Sequence, residues 1–392
     1  MDFSLIKENA LPAVAQLWSE CFEKEGSAFH SWYFQHYALQ QNKIIGGYDQ
    51  GQLATMVHLN PYTLFLRGKE INTKYLVGVA TSPLFRGRHV MGELLTTTFN
   101  LLRAAKQRII FLQPINAGIY QPYGFAYTHF RQKYVMPLKA LTIFPVDYEL
   151  GMEKLPLEDA AKRLASVYTQ AMTNYHGYVV RSKENWDNIL TVAQQDELEL
   201  ALVTEDGRDL GYVLYQRQKE KIIVQELLAL SASAKRRLLA YLRGFSGTYA
   251  TLEWLGEIDD LSYLHFKEQS FSPQLAPFMM GRVINAEGLL ASLMLPKQYL
   301  GKEFIIYVKD DFMPVNTVYA KAIVSNGGLD FKPTVEVPDL TMDITTLTQL
   351  YMGTYNAELL SRQGRILAAK PELLELLEVL FPVKNNYINE YF

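Results

Sequence analysis

The chain has 392 residues, 49% of them hydrophobic and 20% charged, which is a globular composition with room for two or three domains. A net charge of −3 offers no basic excess for nucleic acid or an anionic membrane, so neither is expected as a partner and any anion must be held locally. The single cysteine, Cys21, excludes an internal disulfide framework and a thiolate-rich metal cluster, and no metal is expected. Residues 1–8 lack the basic region and apolar core of a signal peptide, and no apolar stretch approaches the ~18 residues of a membrane span, so a cytoplasmic protein is expected. Residues 8–22 carry helical spacing, with Leu11, Val14, Leu17, Trp18, Cys21 and Phe22 on one face. Strand-like runs at 43–48 and 52–60, separated by Asp49-Gln50-Gly51, read as a hairpin. A further apolar run, 62–66, meets the turn Arg67-Gly68-Lys69, and a strand at 71–81 ends at Ser82-Pro83.

Residues 90–105 give the clearest helix, with Met91, Leu94, Leu95, Thr98, Leu101 and Leu102 at helical intervals. A short buried strand, 109–112, follows. Strand, tight turn, amphipathic helix and strand make a βαβ unit with parallel neighbours. From about residue 145 the pattern restarts: helices at 157–173 and 182–195, strands at 198–204, 210–217 and 222–230, a helix at 232–244 and a strand at 249–255. That order echoes the N-terminal region, but the segment after the third of those strands, 231–237, holds no glycine. A third region opens near Met279, with strands at 303–309, 316–323 and 334–337 and helices at 345–351, 356–362 and 371–379. Asn326-Gly327-Gly328 reads as a hairpin tip and Pro338-Asp339-Leu340 as a loop.

Chemistry concentrates between Tyr75 and Leu94. A strand ends, the chain turns through 86–90, and a helix begins. The unpaired N–H groups of such a turn and first helical turn, helped by the helix dipole, form an anion site without a Walker lysine. Arg86 and Arg88 add charge at its mouth. Pro83 fixes the strand exit. The segment resembles the acyl-CoA-binding motif of the GNAT N-acetyltransferase superfamily: strand, Arg/Gln-x-x-Gly-x-Gly/Ala, helix. Arg86-Gly87-Arg88-His89-Val90-Met91 matches in register, with His89 and Met91 at the two glycine positions. The resemblance implies acetyl-CoA as cosubstrate, its pantetheine antiparallel to Val77, Val79, Ala80 and Thr81, and its phosphates on the amides of Gly87 and Val90, with Gly92 relieving crowding.

A second element, Asn116-Ala117-Gly118-Ile119-Tyr120-Gln121-Pro122-Tyr123-Gly124-Phe125, follows the 109–112 strand. Asn116 is suited to cap a short helix and Gly124 to end it in a left-handed conformation. The spacing Tyr-x-x-x-Gly-Phe is similar to the superfamily's tyrosine facing the CoA sulfur. That makes Tyr120 the general acid, and Asn116 and Tyr120 complete the cofactor-binding set; a core tyrosine on a short helix is the structural alternative.

The whole chain resembles the Eis-type (enhanced intracellular survival) acetyltransferases, through Pro333–Leu340, Leu350–Ala357 and Gly364–Ile366 as well as the motifs above. The resemblance implies an α+β protein: two GNAT-type mixed-sheet domains with flanking helices, at 1–145 and 146–278, then a sterol-carrier-like α+β domain at 279–392. It also implies a homo-oligomer, as hexamers, and a terminal carboxylate, that of Phe392, as proton acceptor from the attacking amine. A free α-carboxyl, with a pKa of about 3.3–3.7, is a weak base that burial would strengthen; a frayed end is the alternative. Where the Eis proteins carry the acid tyrosine after the loop glycine, this chain has Phe125, so Tyr123, Tyr127 and water stand beside Tyr120, the favoured candidate, as proton donors to the leaving thiolate. The acceptor implied is a cationic primary amine, an aminoglycoside-like polyamine or a lysine side chain. Trp32, Tyr33 and Phe34, near Glu23 and Glu25, are candidate pocket rings or a packed helix face. Rival functions are an inactive CoA-binding scaffold and a lipid carrier with Leu289, Leu290, Leu293, Leu347 and Leu350 lining a tunnel.

Overall fold

A computed structural model describes residues 1–143, 146–326 and 328–392. The expected domain boundary at 145 and the glycine Gly327 of the expected 326–328 tip lie outside the described residues. In space the chain divides into two compact units. Unit 1 takes Met1–His129, Phe278–Lys384 and Glu390–Phe392, and unit 2 takes Phe130–Pro277 and Asn385–Asn389.

In unit 1 the chain opens with strand β1 (Asp2–Leu5), helix α1 (Leu11–Cys21), a short helix α2 (Ala28–Trp32) and strand β2 (Lys43–Asp49). The next two strands, β3 (Gln52–Leu66) and β4 (Lys69–Thr81), are long partners. The separate apolar run expected at 62–66 is the far half of β3, which continues through Pro61. Both hairpin tips, Gln50-Gly51 and Arg67-Gly68, have positive φ at both residues, the two-residue geometry whose twist matches that of the strands. Helix α3 (Val90–Ala104) buries Val90, Leu94, Leu95, Thr98, Phe99 and Leu102 on one face. Strand β5 (Ile109–Leu112), buried throughout, pairs with β4 in parallel at Lys74↔Ile110 and Tyr75↔Phe111, as expected of a βαβ unit. Helix α4 (Ala117–Tyr120) closes this part.

Unit 2 repeats the scheme. A long strand β6 (Ala126–Pro137), of which the residues from Phe130 onward belong to unit 2, was not evident in the sequence, because His129, Arg131, Gln132 and Lys133 break the apolar pattern. There follow β7 (Gly151–Lys154), α5 (Ala161–Ala171), β8 (Tyr178–Val179), α6 (Lys183–Gln195), β9 (Glu199–Glu205), β10 (Arg208–Gln218), β11 (Lys221–Ala229), α7 (Ala232–Arg243) and β12 (Thr251–Gly256). The sheet runs β6-β12-β11-β10-β9-β7. Its β11–α7–β12 crossover is parallel, the counterpart of β4–α3–β5. One face of the sheet packs a core around Leu238, Leu242 and Trp254, the other a core around Leu164, Trp186 and Tyr212.

The chain rejoins unit 1 in strand β13 (Gln274–Val283), which pairs antiparallel with β5 from Met280↔Leu112 to Val283↔Ile109. After α8 (Ala286–Leu290) come β14 (Glu303–Lys309), β15 (Val318–Ser325), β16 (Gly328–Pro333) and β17 (Leu340–Asp343), then α9 (Ile344–Met352), α10 (Ala357–Arg362), β18 (Ile366–Ala368) and α11 (Pro371–Leu380). The second sheet of unit 1 runs β16-β15-β14-β17-β18. The strand expected at 334–337 is a loop between β16 and β17. Val335 and Val337 are β-branched but lie almost fully in solvent, where propensity without a neighbouring strand makes no strand. Leu289, Leu290, Leu293, Leu347 and Leu350, the candidate tunnel lining, are all buried in the core. The architecture is thus α+β, mixed sheets flanked by helices.

Candidate functional site

Between β3 and β4 the register passes from Met56↔Ala80 to His58↔Val77. Gly78 and Val79 therefore face Val57 alone, a bulge of two residues against one. Gly78 has φ +57, and a Cβ there would lie 2.4 Å from the Trp18 ring and 3.1 Å from His58. Only glycine satisfies both the backbone and the space. The parallel pairing of β4 with β5 stops at Tyr75↔Phe111, so the two strands splay beyond it. A cavity of about 240 Å³ opens in the splay, lined by Val77, Gly78 and Val79 below and by Trp18, Phe22, Glu23, Gln113, Tyr120 and Tyr391 around it.

The rest of the expected cofactor set forms the exit of β4 and the start of α3. Ala80 is buried, and its carbonyl accepts from Thr55 Oγ1 at 2.7 Å. Phe85 packs with Ala54 and Val90, which pins the turn from beneath. Arg86, Gly87, Arg88 and His89 are exposed. Arg86 folds back, its Nε donating to the Thr81 carbonyl at 3.2 Å, and Arg88 lies over the Phe85 ring at 5.5 Å. Gly87 has φ +79 with no atom within 4 Å of an added Cβ. His89 is the N-cap of α3 with φ 57 and no side-chain cap. Its carbonyl accepts from the amides of Gly92 and Glu93, and the amides of Val90 and Met91 fall among those that a helix leaves unpaired. A Cβ at Gly92 would meet Tyr123 only at an ordinary 3.6 Å, so protein packing does not demand its smallness.

Asn116 caps α4, accepting from the amide of Gly118 at 2.8 Å. Gly124 ends the following turn with φ +77, and a Cβ there would lie 1.6 Å from Arg282 Nη1. Tyr120 is 7% exposed, and burial pushes its phenol up to about 12. Phe125 is buried with its ring edge-on to Phe99 and Tyr120. Tyr123 packs edge-on against Phe312 at 4.8 Å. Of the tyrosines in this loop, it is Tyr120 that lines the cavity.

The chain's last residues complete unit 1. The Phe392 ring sits among Phe29, Trp32 and Tyr37, at 5.8, 5.4 and 6.0 Å. Tyr62 Oη donates to a main-chain oxygen of Phe392, and the Tyr62 ring packs on that of Tyr75 in the cavity wall at 5.8 Å. Of the candidate pocket rings, Trp32 thus contacts the last residue. Tyr33 is fully buried, with its hydroxyl 2.9 Å from His58 Nδ1 and receiving a hydrogen bond from Asn42, and Phe34 packs edge-on to Trp18. Burial lowers His58 to about 3, so this ring is neutral at ordinary pH. Sequence reasoning missed Gly78, Tyr62, Tyr75, Tyr391 and the Tyr33–His58–Asn42 cluster. Gly78 alone carried a signal, as a glycine inside a strand marks a bulge or a close approach.

Three sequence profiles match the chain: an acetyltransferase (GNAT) domain over residues 2–128, a second acetyltransferase (GNAT) domain over 177–283, and a sterol carrier protein domain over 287–389. No curated protein matches it in sequence. Among solved structures, a conserved protein from Enterococcus faecalis V583 is 19% identical with a TM-score of 0.87, each chain covering 100% of the other. A GCN5-related N-acetyltransferase from Anabaena variabilis is 18% identical with a TM-score of 0.82, again over 100% of both chains. Eis1 from Mycobacterium abscessus is 19% identical with a TM-score of 0.76 over 100% of both. These likenesses establish a shared fold.

Proposed function

The chain belongs to the GNAT acetyltransferases, as two such domains followed by a sterol carrier protein domain, and from that premise we propose that it transfers an acetyl group from acetyl-CoA directly to a primary amine at the cavity above Gly78. The observation that carries this is the bulge, which turns the main chain of Val77–Val79 toward a cavity that Tyr120 of the 116–125 loop also lines. The residues fit a CoA thioester. The open edge of β4 suits an extended pantetheine, the turn 86–89 and first amides of α3 suit a diphosphate, and Gly87 leaves space for its approach.

The amine substrate arrives as an ammonium, of pKa about 10.4 if lysine-like, and must lose a proton before it attacks. The Phe392 carboxylate takes that proton, directly or through water. The nitrogen then bonds to the thioester carbon, with the amide of Val79 or a neighbour donating to the carbonyl oxygen. The C–S bond breaks, and the nitrogen's second proton reaches the sulfur, giving amide and free thiol. Tyr120 keeps its own proton at neutral pH. A phenol at about 12 lies roughly 3.5 units above a thiol of about 8.5, so Tyr120 hydrogen-bonds the departing sulfur and gives up a proton only as it receives one. The acceptors proposed are aminoglycoside-like polyamines or lysine side chains.

Calorimetric titration with acetyl-CoA, followed by thiol release over a panel of amines, tests the proposal. Binding with amine-dependent thiol release supports it; no binding removes the transferase activity and leaves a scaffold.

A further inference from the structure

Strand β13 lies beside β5, with Arg282 opposite Ile110, and β5 runs on into the loop that holds Tyr120. Arg282 is fully buried. Its Nη1 would lie 1.6 Å from a Cβ at Gly124, and Ile344 Cγ2 would lie 3.1 Å from it, so the guanidinium occupies the place of the side chain that Gly124 lacks. The same group lies over the Phe99 ring at 5.0 Å and the Phe312 ring at 5.8 Å. Phe99 meets Phe125 edge-on at 5.9 Å, Phe125 meets Tyr120 at 6.0 Å, and Phe312 meets Tyr123 at 4.8 Å. The guanidinium thus packs on the loop's last glycine directly and backs Tyr120 and Tyr123 through ring contacts. Just beyond the loop, Gln349 Nε2 and Thr354 Oγ1 donate to the carbonyls of Tyr127 and Thr128. All these residues belong to unit 1.

A rigid acid holds the guanidinium. Arg282 Nη2 donates to both oxygens of Asp310, at 3.1 and 2.8 Å. Asp310, itself 2% exposed, also accepts from the Met313 amide and from Asn316 Nδ2, each at 2.9 Å. Asn316 in turn donates to the Val283 carbonyl and accepts from the Ala286 amide, which ties the acid back to the chain just after Arg282. Nε and Nη1 of Arg282 find no acceptor among the described residues. A buried donor without a partner costs about 1–3 kcal/mol, and a ring face offsets about 0.5–2 kcal/mol of that. Apolar side chains of similar volume would often be as stable as such a pair. What they would not supply is a flat, rigid group seated against a glycine with φ +77, which leaves the loop one place to close.

We propose that Arg282, held by Asp310, is a positioning residue for Tyr120: it seats the loop 116–125 at Gly124, so that the phenol meets the departing sulfur. Asp310 and Phe312 lie within the part that matches a sterol carrier protein domain, so that domain serves as a buttress for the transferase loop. The proposal rests on the reading of Tyr120 given above.

The test is the double variant Arg282→Met/Asp310→Asn in the full chain, which removes both charges together and leaves neither buried alone. Arg282→Lys, which keeps the charge and loses the flat group, is the second variant should the first fail to fold. The expected result is a kcat lower by about tenfold or more, the loss of about 1.4 kcal/mol or more of transition-state stabilisation, with acetyl-CoA affinity by calorimetry unchanged. Tyr120→Phe is then added to each protein. In the unaltered chain it should cost about 100-fold in kcat; in the Arg282 variant it should cost about tenfold or less, because a misplaced phenol has less to lose. A folded variant with unchanged kcat, or a Tyr120→Phe cost equal in both backgrounds, overturns the positioning role alone. Tyr120→Phe without effect in the unaltered chain overturns the premise that this phenol serves the sulfur, whatever the Arg282 variants do.

Discussion

Gly78→Ala puts the central geometry of the site to a direct test. The residue sits at φ +57, and the new Cβ would be 2.4 Å from the Trp18 ring. A left-handed conformation costs a non-glycine residue about 1–2 kcal/mol, and forcing a methyl into a packed site costs about 1–3 kcal/mol more. Trp18 cannot swing aside at little cost, since it is 5% exposed and packed against Tyr33, Phe34 and His58. The sum, about 2–5 kcal/mol, corresponds to a fall in Tm of about 5–15 °C for an unfolding unit of this size. Differential scanning calorimetry reads it, and titration with acetyl-CoA should show binding weaker by about tenfold or more, the value of one or two main-chain hydrogen bonds. In a Trp18→Ala background, itself destabilised, the alanine at 78 should add only the backbone part, about 1–2 kcal/mol. A Gly78→Ala protein with wild-type Tm and acetyl-CoA affinity would refute the bulge as the element that shapes the site.

Three further outcomes are expected. His89→Gly removes a left-handed side chain at the N-cap of α3 and should stabilise the chain by up to about 1 kcal/mol in thermal melts, with acetyl-CoA affinity equal or tighter; a lower Tm would contradict that reading of the turn. Tyr120→Phe should lower kcat by about 100-fold with little change in acetyl-CoA binding. Because burial holds this phenol up to about 12, the wild-type kcat profile should show no loss from its ionisation below about pH 11; kinetics from pH 6 to 10.5 check both. Glu226 is opposed by burial, but Arg181 and the hydrogen bonds hold it down to about 2 against an ordinary 4.5. Its contribution is whole above about pH 4.5 and is lost as pH falls toward 2, on the order of 3 kcal/mol by linkage. Acid unfolding followed by circular dichroism should therefore be less steep in that window for Glu226→Gln, and an identical slope would count against the buried ion pair.

The sequence by itself determined the periodic elements and the chemistry that is local in the chain. The heptad-like face of α3, the hairpin tips at 50–51 and 67–68, the Asn116 cap and the Gly124 exit all follow from side chains acting on their own backbone within a few residues. So does the order strand, turn, helix, strand that resembles an acyl-CoA site. Tertiary structure alone decided what depends on distant partners. β6, interrupted by charged residues, is a strand because β12 pairs with it from Thr251↔Pro137 to Gly256↔Gln132, while Val335 and Val337 have the propensity and no partner. Residue 78 in the bulge must be glycine because Trp18, 60 positions earlier, fills the space a side chain would need. Tyr62 meets Phe392 across 330 residues, and Glu226 collects Arg181, Tyr212, Tyr387 and Asn389 from three separate segments. Hydrogen bonds and packing act over a few ångströms in space whatever the separation along the chain. One-dimensional spacing therefore displays them only where the chain is its own neighbour.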